Sequence, residues 1–443
     1  MVGFQCRRRV LSRRRAVILV LTLWIVLVLS LMAQSLVFEM RVEMKLTNAY
    51  RAQLTAEQLA RIGVARAVAD LRNDMLFDSV SKKMDNRAAN DTLSDYWAAG
   101  GQEPLEIEVE SKGSRKPEGV YQVMVVDEES KIDLNGMSAS WLTVMTNLLQ
   151  ILDVDEDDAK DLAQAIWDWK DGDDLVLGGQ EESETTYYSN LAETQTKRSH
   201  SEKSASRVFP KNAPFDSVDE LLQVPGMTPE IFYGYDPEET PDPPFFPARS
   251  YEKHPDRRPG LRDLVTIRAR SFNVNTAGYE CLSAVCAYAT DSLDNGEALA
   301  KRIIEFRQGF KYMDSDSEDN ALRTERDCEK IRGFTPPLLA KMKQAVRLTM
   351  ISSYFTIYSE GTTGRTVKKF RTSSTDNAPS RPPTRARIIA ECSRSGISPS
   401  RRDLESLLPE DLFKRISDSN LDKYYFSDRF YLPAIYFKRW VSY

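Results

Sequence analysis

Histidine is almost absent from this chain of 443 residues, which contains only His200 and His254. Both lie in polar or proline-rich stretches, so the sequence offers neither a histidine-based catalytic triad nor a zinc site with several histidine ligands. It also lacks a glycine-rich phosphate-binding loop between a strand and a helix. These absences argue against hydrolytic and nucleotide-dependent enzymes, and they favour a protein without a catalytic site.

Basic residues are outnumbered, with 60 against 66 acidic residues and a net charge of -6. The imbalance is concentrated between residues 127 and 198, where eighteen acidic residues face five basic ones. Such a region repels phosphate backbones and attracts cations. The composition therefore argues against a general nucleic-acid binder.

Charge is missing altogether from residues 16–38, an almost wholly apolar run that follows a leader with six arginines and no acidic residue. At roughly 1.5 Å per residue, a helix of this length crosses a hydrocarbon core of about 30 Å. Arginine-rich flanks stay in the cytoplasm, so the residues after Phe38 are expected outside it. Apolar residues three and four positions apart continue over 39–75, which predicts one long helix, half in lipid and half packed on a domain.

Alternating apolar and polar residues at 105–109 and 120–126 predict a β-hairpin after this helix. Between about residues 134 and 348 the spacing becomes helical. The predicted helices lie at 141–152, 157–169, 217–224, 261–266, 277–288, 299–307 and 337–350. Strand patterns return at 353–358, 366–370, 386–390 and 431–440. The sequence therefore predicts a sheet that opens before the helical domain and is completed after it.

Four cysteines follow the apolar run, and an even number outside the cytoplasm permits disulfides. Cys281 and Cys286 are five residues apart in a predicted helix, so their side chains point to different faces. A bond from one of them to Cys328 is therefore favoured over a bond between the two. Buried free thiols are the alternative.

One acidic loop has the residue types of a metal site. Hard oxygen ligands at this density suit Ca²⁺, and repulsion among them would otherwise destabilise the fold. The spacing is not that of an EF-hand, because Leu175 and Val176 stand where a ligand and a glycine are needed. A solvated acidic loop is the alternative. The candidate ligands are Asp168, Asp171, Asp173, Asp174, Glu181 and Glu182.

A second acidic loop comes nearer to the calcium spacing of an EF-hand. Asp319 stands where such a loop needs glycine, so a surface loop is the default interpretation. Its candidate ligands are Asp314, Asp316, Glu318 and Glu325.

Two short segments, 222–228 and 331–335, place a glycine between apolar residues. Turns of this kind between short helices can present backbone N–H groups to DNA phosphates. They supply a rival hypothesis, a membrane-anchored extracytoplasmic protein that binds or takes up DNA through helix-hairpin-helix turns. The acidic surroundings favour a simpler interpretation, in which the turns pack one helix on another.

Three motifs occur in order along the chain: 126–135 (VDEESKIDLN), 168–174 followed by Tyr187 and Tyr188, and 272–277 (FNVNTA) followed by 303–307. Together with the N-terminal run, they resemble the minor pseudopilin K of bacterial type II secretion, also called general secretion pathway protein K. The resemblance covers most of the chain, from about residue 14 to residue 358.

The resemblance implies an α+β fold, with a pilin-like long N-terminal helix packed on an antiparallel sheet and a large all-α domain inserted between strands. It also implies calcium binding in the helical domain. The corresponding regions are a basic leader (1–16), the transmembrane part of the helix (17–38), the rest of the helix with the first strands (39–126), the inserted domain (127–350), and the last strands with an extension (351–443).

The same resemblance implies cleavage by a prepilin peptidase. Alignment on Trp24 places the cut between Ala16 and Val17, with alanine where the family usually has glycine. Leu21 then becomes the fifth mature residue, where ordinary pilins carry a glutamate that pairs with the amine of the subunit ahead. An apolar residue suits a subunit with none ahead, because an unpaired carboxylate in the membrane is costly.

The implied function is that of a non-enzymatic subunit that caps the tip of a pseudopilus and starts its assembly for protein export across the outer membrane. The expected partners are the I and J minor pseudopilins, the inner-membrane assembly platform and the prepilin peptidase, with no nucleic acid. The expected location is the bacterial inner membrane, crossed once, with the N-terminus cytoplasmic and the bulk of the chain in the periplasm.

Overall fold

The long N-terminal helix, α1, covers Gln5–Met84 without a break. Residues 18–50 are exposed throughout, and the helix is long and apolar enough to cross a membrane. Farther along, small and apolar side chains recur at steps of three and four and are buried, namely Ala56, Leu59, Ala60, Val64, Ala67 and Leu71. The computed structural model describes residues 5–84, 90–98, 104–110, 117–177, 183–188, 210–236, 240, 244–247, 259–308, 321–363, 384–397 and 432–442.

Two strands follow the helix as an antiparallel pair, β1 (Leu105–Glu110) and β2 (Pro117–Asp127). Tyr121, Val123 and Val125 of β2 point to the face that packs on α1, and they are buried there. The predicted hairpin is confirmed. After β2 the chain leaves the sheet and enters the inserted helical domain.

The inserted domain contains two similar units. In each unit the first strand pairs in parallel with the last, β3 with β4 and β5 with β6. The first unit comprises β3 (Ile132–Asp133), α2 (Trp141–Ile151), α3 (Glu156–Lys170), a 3-10 helix (Val218–Gln223), α4 (Pro229–Tyr233), α5 (Leu261–Leu264) and β4 (Val265–Thr266). The second comprises β5 (Phe272–Asn273), α6 (Tyr279–Thr290), α7 (Leu293–Gln308), a 3-10 helix (Glu325–Lys330), α8 (Pro336–Ala345) and β6 (Leu348–Thr349).

An asparagine after the first strand makes the same contacts in both units. Asn135 donates from Nδ2 to the carbonyl of Phe215 at 3.1 Å and accepts from its amide at 2.8 Å. Asn275 holds Leu322 in the same way, at 2.8 Å and 3.0 Å. Each asparagine thus satisfies both backbone groups of a residue far away in sequence, which fixes the loop that returns to the start of the unit.

A basic side chain at the end of the second helix is also repeated. Lys170 of α3 donates to the carbonyl oxygens of Leu134 at 3.0 Å and of Gly136 at 2.6 Å. Arg307 of α7 donates to the carbonyl oxygen of Val274 at 2.5 Å. Shared elements and shared contacts together identify the inserted domain as a duplicated structural unit, which the sequence patterns did not predict.

The two glycine turns occupy equivalent places in the units. Gly226 and Gly333 have φ values of 87° and 86°, a left-handed conformation that favours glycine. A Cβ atom built on Gly226 would lie 3.7 Å from the side chain of Leu162, and Arg302 donates to the carbonyl of Arg332 at 3.4 Å. Each turn therefore lies against the second helix of its own unit, which supports the interpretation as a packing turn.

Four predicted helices differ clearly in type or length from the observed elements. The one predicted at 299–307 is longer and covers Leu293–Gln308. The segment predicted at 217–224 is a 3-10 helix, while those at 261–266 and 337–350 end at Leu264 and Ala345. The last two continue as β4 and β6, because the fold brings β3 and β5 alongside them. Pairing with a distant strand overrides the local helical pattern.

The remaining strands complete the sheet: β7 (Tyr354–Thr363), β8 (Thr384–Ile397) and β9 (Leu432–Ser442). The order is β1-β2-β7-β8-β9, and every neighbouring pair is antiparallel. The predicted strands at 353–358, 386–390 and 431–440 are confirmed, as is the α+β fold with a helical insertion. The strand predicted at 366–370 lies outside the described residues.

Gly361 brings β7 into close contact with α1. A Cβ atom built there would lie 2.0 Å from the carbonyl oxygen of Ala56 and 2.6 Å from the amide nitrogen of Ala60. Two positions earlier, the hydroxyl of Ser359 donates to the carbonyl of Ala60 at 2.9 Å. Since backbone atoms fill the space beside Gly361, only glycine allows the helix and strand to approach this closely.

Candidate metal centre

Three carboxylates of the first unit converge just after α3. Asp168 lies in the last turn of the helix, Asp171 follows its end, and Glu184 begins the helical turn 184–188. One oxygen of each side chain lies within 4.8 Å of the others. The three side chains therefore surround a space that a cation could occupy.

The local fold explains why Asp168 points inward. It belongs to the same face of α3 as the buried residues Ala165, Ile166 and Trp169, so the amphipathic helix carries it into the interior. One of its oxygens accepts the hydroxyl of Tyr188 at 2.7 Å, and the other accepts the amide of Leu177 at 3.2 Å. Asp168 is thereby held by both arms of the acidic loop, which are the segments 171–177 and 183–188.

The loop itself is closed by short contacts between its two arms. Leu175 forms an isolated antiparallel bridge with Ser183. The hydroxyl of Ser183 donates to Asp174 at 2.7 Å, and the amide of Glu184 donates to the carbonyl of Asp174 at 3.4 Å. These contacts bring Glu184 to the other two carboxylates although it lies thirteen positions after Asp171 in the sequence.

Several oxygens in this cluster have no hydrogen-bond donor. Asp168 and Glu184 are 0% exposed and Asp171 is 8% exposed. Both carboxylate oxygens of Glu184 and Oδ1 of Asp171 are buried without a hydrogen-bond partner. Burying unpaired carboxylates costs several kcal/mol, so these atoms need either protons or a cation.

The cluster is electrostatically strained. Burial, followed by repulsion from Asp168 and Asp171, raises the pKa of Glu184 to about 8. Burial, followed by repulsion from Asp173, raises the pKa of Asp171 to about 6. The pKa of Asp168 is raised as well, mainly by burial. A divalent cation would reverse these shifts, because it favours the ionised form of every carboxylate around it.

The neighbouring lysine does not neutralise the cluster. The ammonium nitrogen of Lys170 lies 3.1 Å from the ring centroid of Trp141 and donates to the carbonyls of Leu134 and Gly136. Burial lowers the pKa of Lys170 to about 6. The positive charge that the three carboxylates require is therefore not supplied by Lys170, and either bound protons or a cation would supply it.

Of the six predicted ligands, the structure brings Asp168 and Asp171 together. Asp173 and Asp174 are exposed and bind within the loop, where Asp173 accepts the amide of Leu175 at 2.9 Å. Glu181 and Glu182 lie outside the described residues. Glu184 was missed, and the only signal for it was an acidic residue shortly before the tyrosine pair that holds Asp168.

Comparison with known families shows what this region resembles. The family model for protein K of the type II secretion system (T2SS) matches residues 127–237. Residues 127–237 are therefore similar to protein K of type II secretion. This protein K region begins at the last residue of β2 and includes the first of the two units as far as α4. Asp168, Asp171 and Glu184 lie within it.

One solved structure aligns with most of the chain. It is the GspK-GspI-GspJ complex from the enterotoxigenic Escherichia coli Type 2 Secretion System. The alignment with one chain of that complex includes 81% of this chain and 95% of that chain. The two sequences are 16% identical, and the TM-score is 0.37. A search of curated proteins found no match.

The second acidic loop lies beyond the protein K region. Asp314, Asp316 and Glu318 are outside the described residues. Glu325 starts the 3-10 helix of the second unit, and its carboxylate accepts the ammonium of Lys343 at 2.5 Å. A metal site in this loop stays a prediction.

The cysteines differ from the favoured prediction. Cys281, Cys286, Cys328 and Cys392 are all buried free thiols, so no disulfide joins Cys281 or Cys286 to Cys328 in this structure. Burial raises the pKa of the Cys328 thiol to about 12, which makes it a poor nucleophile for exchange. The alternative of buried thiols describes these side chains. Cys281, Cys286 and Cys328 pack as small apolar residues of the helical core, and Cys392 packs in the core between α1 and the sheet.

The proposed processing site lies within α1. Ala16 and Val17 belong to the continuous helix, and Leu21 is 60% exposed among other apolar side chains. A long apolar N-terminal helix of this kind fits a single membrane anchor.

Proposed function

We propose that this protein is a non-enzymatic minor pseudopilin that caps the tip of the type II secretion pseudopilus and starts its assembly for protein export. The match of residues 127–237 to the protein K family model supports a minor pseudopilin role in type II secretion. The observation that carries the proposal is the division of α1, whose first part is exposed and apolar while its second part is buried on the sheet. A free apolar helix joined to a bulky body suits lateral packing in a filament.

The position at the tip is supported by two features of the chain. Leu21 supplies an apolar side chain where a subunit with another ahead of it would need a carboxylate. The duplicated helical domain is inserted between β2 and β7, and its bulk would oppose the addition of a subunit above it. Growth would then proceed from below, with the N-terminus in the cytoplasm and the body in the periplasm.

The proposed partners are the I and J minor pseudopilins, together with the inner-membrane assembly platform and the prepilin peptidase. The solved structure that aligns with this chain is named as a complex of GspK with GspI and GspJ. Tyr50 and Leu46 lie one turn apart on α1 and are 66% and 64% exposed. We propose that this exposed face of the helix contacts the partner helices.

Co-purification tests the proposed function. Full-length chain, co-expressed with the I and J subunits of its own organism and extracted in detergent, is expected to isolate as a ternary complex. The double variant L46E/Y50E is expected to lower recovery of both partners at least tenfold, because its charges would be buried in the interface. Circular dichroism and urea midpoint should stay unchanged, since these side chains are exposed.

The control is Lys160→Glu, an exposed change on α3 that should leave the complex intact. Duplex DNA is tested in parallel over a range of salt concentrations. Binding of DNA that weakens steeply with salt, without recovery of either subunit, would favour the DNA-binding alternative instead.

N-terminal sequencing of the membrane-extracted protein tests the processing. We expect the mature chain to start at Val17, because the cut is proposed between Ala16 and Val17. Replacing Ala16 by glutamate should block cleavage and leave the longer chain, which a mass difference detects. An intact Met1 or a start near Gln34 in the wild type would contradict the pilin-type helix.

We propose that Asp168, Asp171 and Glu184 bind a Ca²⁺ ion. The ligands are hard carboxylate oxygens, and three of their atoms are buried without donors. Ca²⁺ prefers such oxygen ligands and tolerates irregular geometry better than Mg²⁺. Its role would be structural, because it would join the end of α3 to the loop that carries Glu184.

A further inference from the structure

A second group of acidic side chains lies where α1 meets the rest of the protein. Asp74 belongs to α1, and Asp91 and Asp95 belong to the segment 90–98. One carboxylate oxygen of each lies within 4.8 Å of the others. The side chains of Asp74 and Asp91 are 9% and 0% exposed. Unlike the metal centre, this group contains a cation of the chain itself.

Arg394 of β8 lies at the centre of the group and is 3% exposed. Its Nη1 donates to Oδ2 of Asp74 at 3.0 Å, and its Nη2 donates to Oδ1 of Asp91. Its Nε donates to the carbonyl of Ser352 at 3.0 Å. A single guanidinium therefore ties the membrane helix, the segment 90–98 and the start of β7 to one point.

Asp91 extends this connection into the helical domain. Its Oδ2 accepts the amide of Ser352 at 2.6 Å, and its own amide donates to the carbonyl of Met350 at 2.8 Å. The hydroxyl of Ser352 donates to Asp127 at 2.6 Å and receives a hydrogen bond from Asn273 at 2.8 Å. Buried hydrogen bonds thus run from α1 to the first strand of the second unit.

Among the described residues, three carboxylates of the group lie close together around one guanidinium. Asp95 also accepts hydrogen bonds from the amide and hydroxyl of Thr92 at 2.6 Å and 3.1 Å. Burial, followed by repulsion from Asp95 and Asp91, raises the pKa of Asp74 to about 8 despite Arg394. Asp127 and Glu129 add negative charge on the far side of Asp91. A proton on Asp74 therefore relieves the repulsion among the three carboxylates.

We propose that Asp74, Asp91, Asp95 and Arg394 form a proton-dependent latch that holds α1 against the body of the protein. When α1 is undocked, Asp74 recovers the ordinary pKa of about 3.9. The docked state binds the proton more tightly, so docking is strongest in acid, weakens as the pH rises towards 8, and changes no further above it. The latch is independent of the proposed secretion role.

Hydrogen exchange of the full-length protein in detergent tests the latch. The opening constant of amides 70–75, corrected for the intrinsic exchange rate, is expected to rise by up to tenfold per pH unit between pH 5 and pH 8. It should level off above pH 8. Asp74→Asn should remove the dependence, since it keeps the shape and cannot titrate. Asp95→Asn should move the plateau to lower pH, because it removes the largest repulsion.

The matched control is Asp70→Asn, one turn earlier on α1, where the carboxylate forms an ion pair with Arg66 at 2.8 Å. It should leave the dependence on pH intact. A flat profile in the wild type, or an unchanged profile in Asp74→Asn, would overturn the latch. It would also be overturned if millimolar Ca²⁺ or Mg²⁺ abolished the pH dependence of these amides, since the group would then be a cation site.

Discussion

Calcium is expected to raise the melting temperature of the full-length protein, and Glu184→Gln is expected to abolish most of that rise. A ligand that binds only the folded state adds about 2.7 kcal/mol of stability when its concentration is about a hundredfold above Kd. Glu184 matters most because both of its oxygens are buried without donors. Thermal melts in detergent with calcium and with a chelator provide the measurement.

The stabilisation by calcium should increase as the pH rises. Calcium needs ionised ligands, whereas the pKa of Glu184 is about 8 without metal. Calcium affinity is therefore expected to rise between pH 6 and pH 8, with release of a proton on binding. Metal-free protein should behave oppositely and lose stability as the pH rises towards 8, because its folded state holds the proton that the unfolded state releases. Titration calorimetry in buffers of different ionisation enthalpy measures the proton release.

Two variants separate the metal centre from the rest of the acidic loop. Asp173→Asn should keep most of the calcium response, because Asp173 lies on the exposed side of the loop. Glu156→Gln, at the other end of α3, should keep all of it. An equal melting temperature with calcium and with chelator in the wild type would contradict the site.

Gly361→Val is expected to detach α1 from the sheet and to lower the free energy of unfolding by about 3 kcal/mol or more, since overpacking against backbone atoms cannot relax locally. The new Cβ would meet the carbonyl of Ala56 at 2.0 Å. Urea unfolding measures the loss of stability, and limited proteolysis detects the freed helix. This change should also reduce assembly with partner subunits, because α1 would no longer have a fixed orientation.

Thr362→Val is the matched control for this prediction. It alters the adjacent residue of the same strand, whose side chain is half-buried on the opposite face of the sheet. Its effect should stay within about 1 kcal/mol. Full stability and full protease protection of α1 in Gly361→Val would show that the helix does not need the close approach.

Local patterns predicted much of this fold. Alternating residues located β1 and β2, and segments with strand character located β7 and β8. Apolar residues at steps of three and four identified α1 and the main helices. The duplication was not predicted because the two units share structural contacts more than amino-acid identities. Asn135 and Asn275 bind backbone groups of Phe215 and Leu322. Because every residue type has these backbone groups, the sequence at Phe215 and Leu322 carries no sign of the contact.

The candidate metal centre, too, was predicted only in part from the sequence. Acidic composition was enough to predict a candidate cation site near α3, and two of the predicted ligands, Asp168 and Asp171, lie in the observed cluster. It could not select among the carboxylates, since selection depends on which side chains the loop turns inward. The bridge between Leu175 and Ser183 brings in Glu184, whereas Asp173 and Asp174 remain outside.

The order of the parts was determined by the sequence alone: a membrane-length helix, a hairpin, an inserted helical domain and closing strands. These follow from periodicity and hydrophobicity, which act over a few neighbouring residues. Only the tertiary structure decided which of many carboxylates meet, three just after α3 and three around Arg394. The physical reason is that charge alone repels, so acidic side chains come together only where packing elsewhere in the chain stabilises the arrangement.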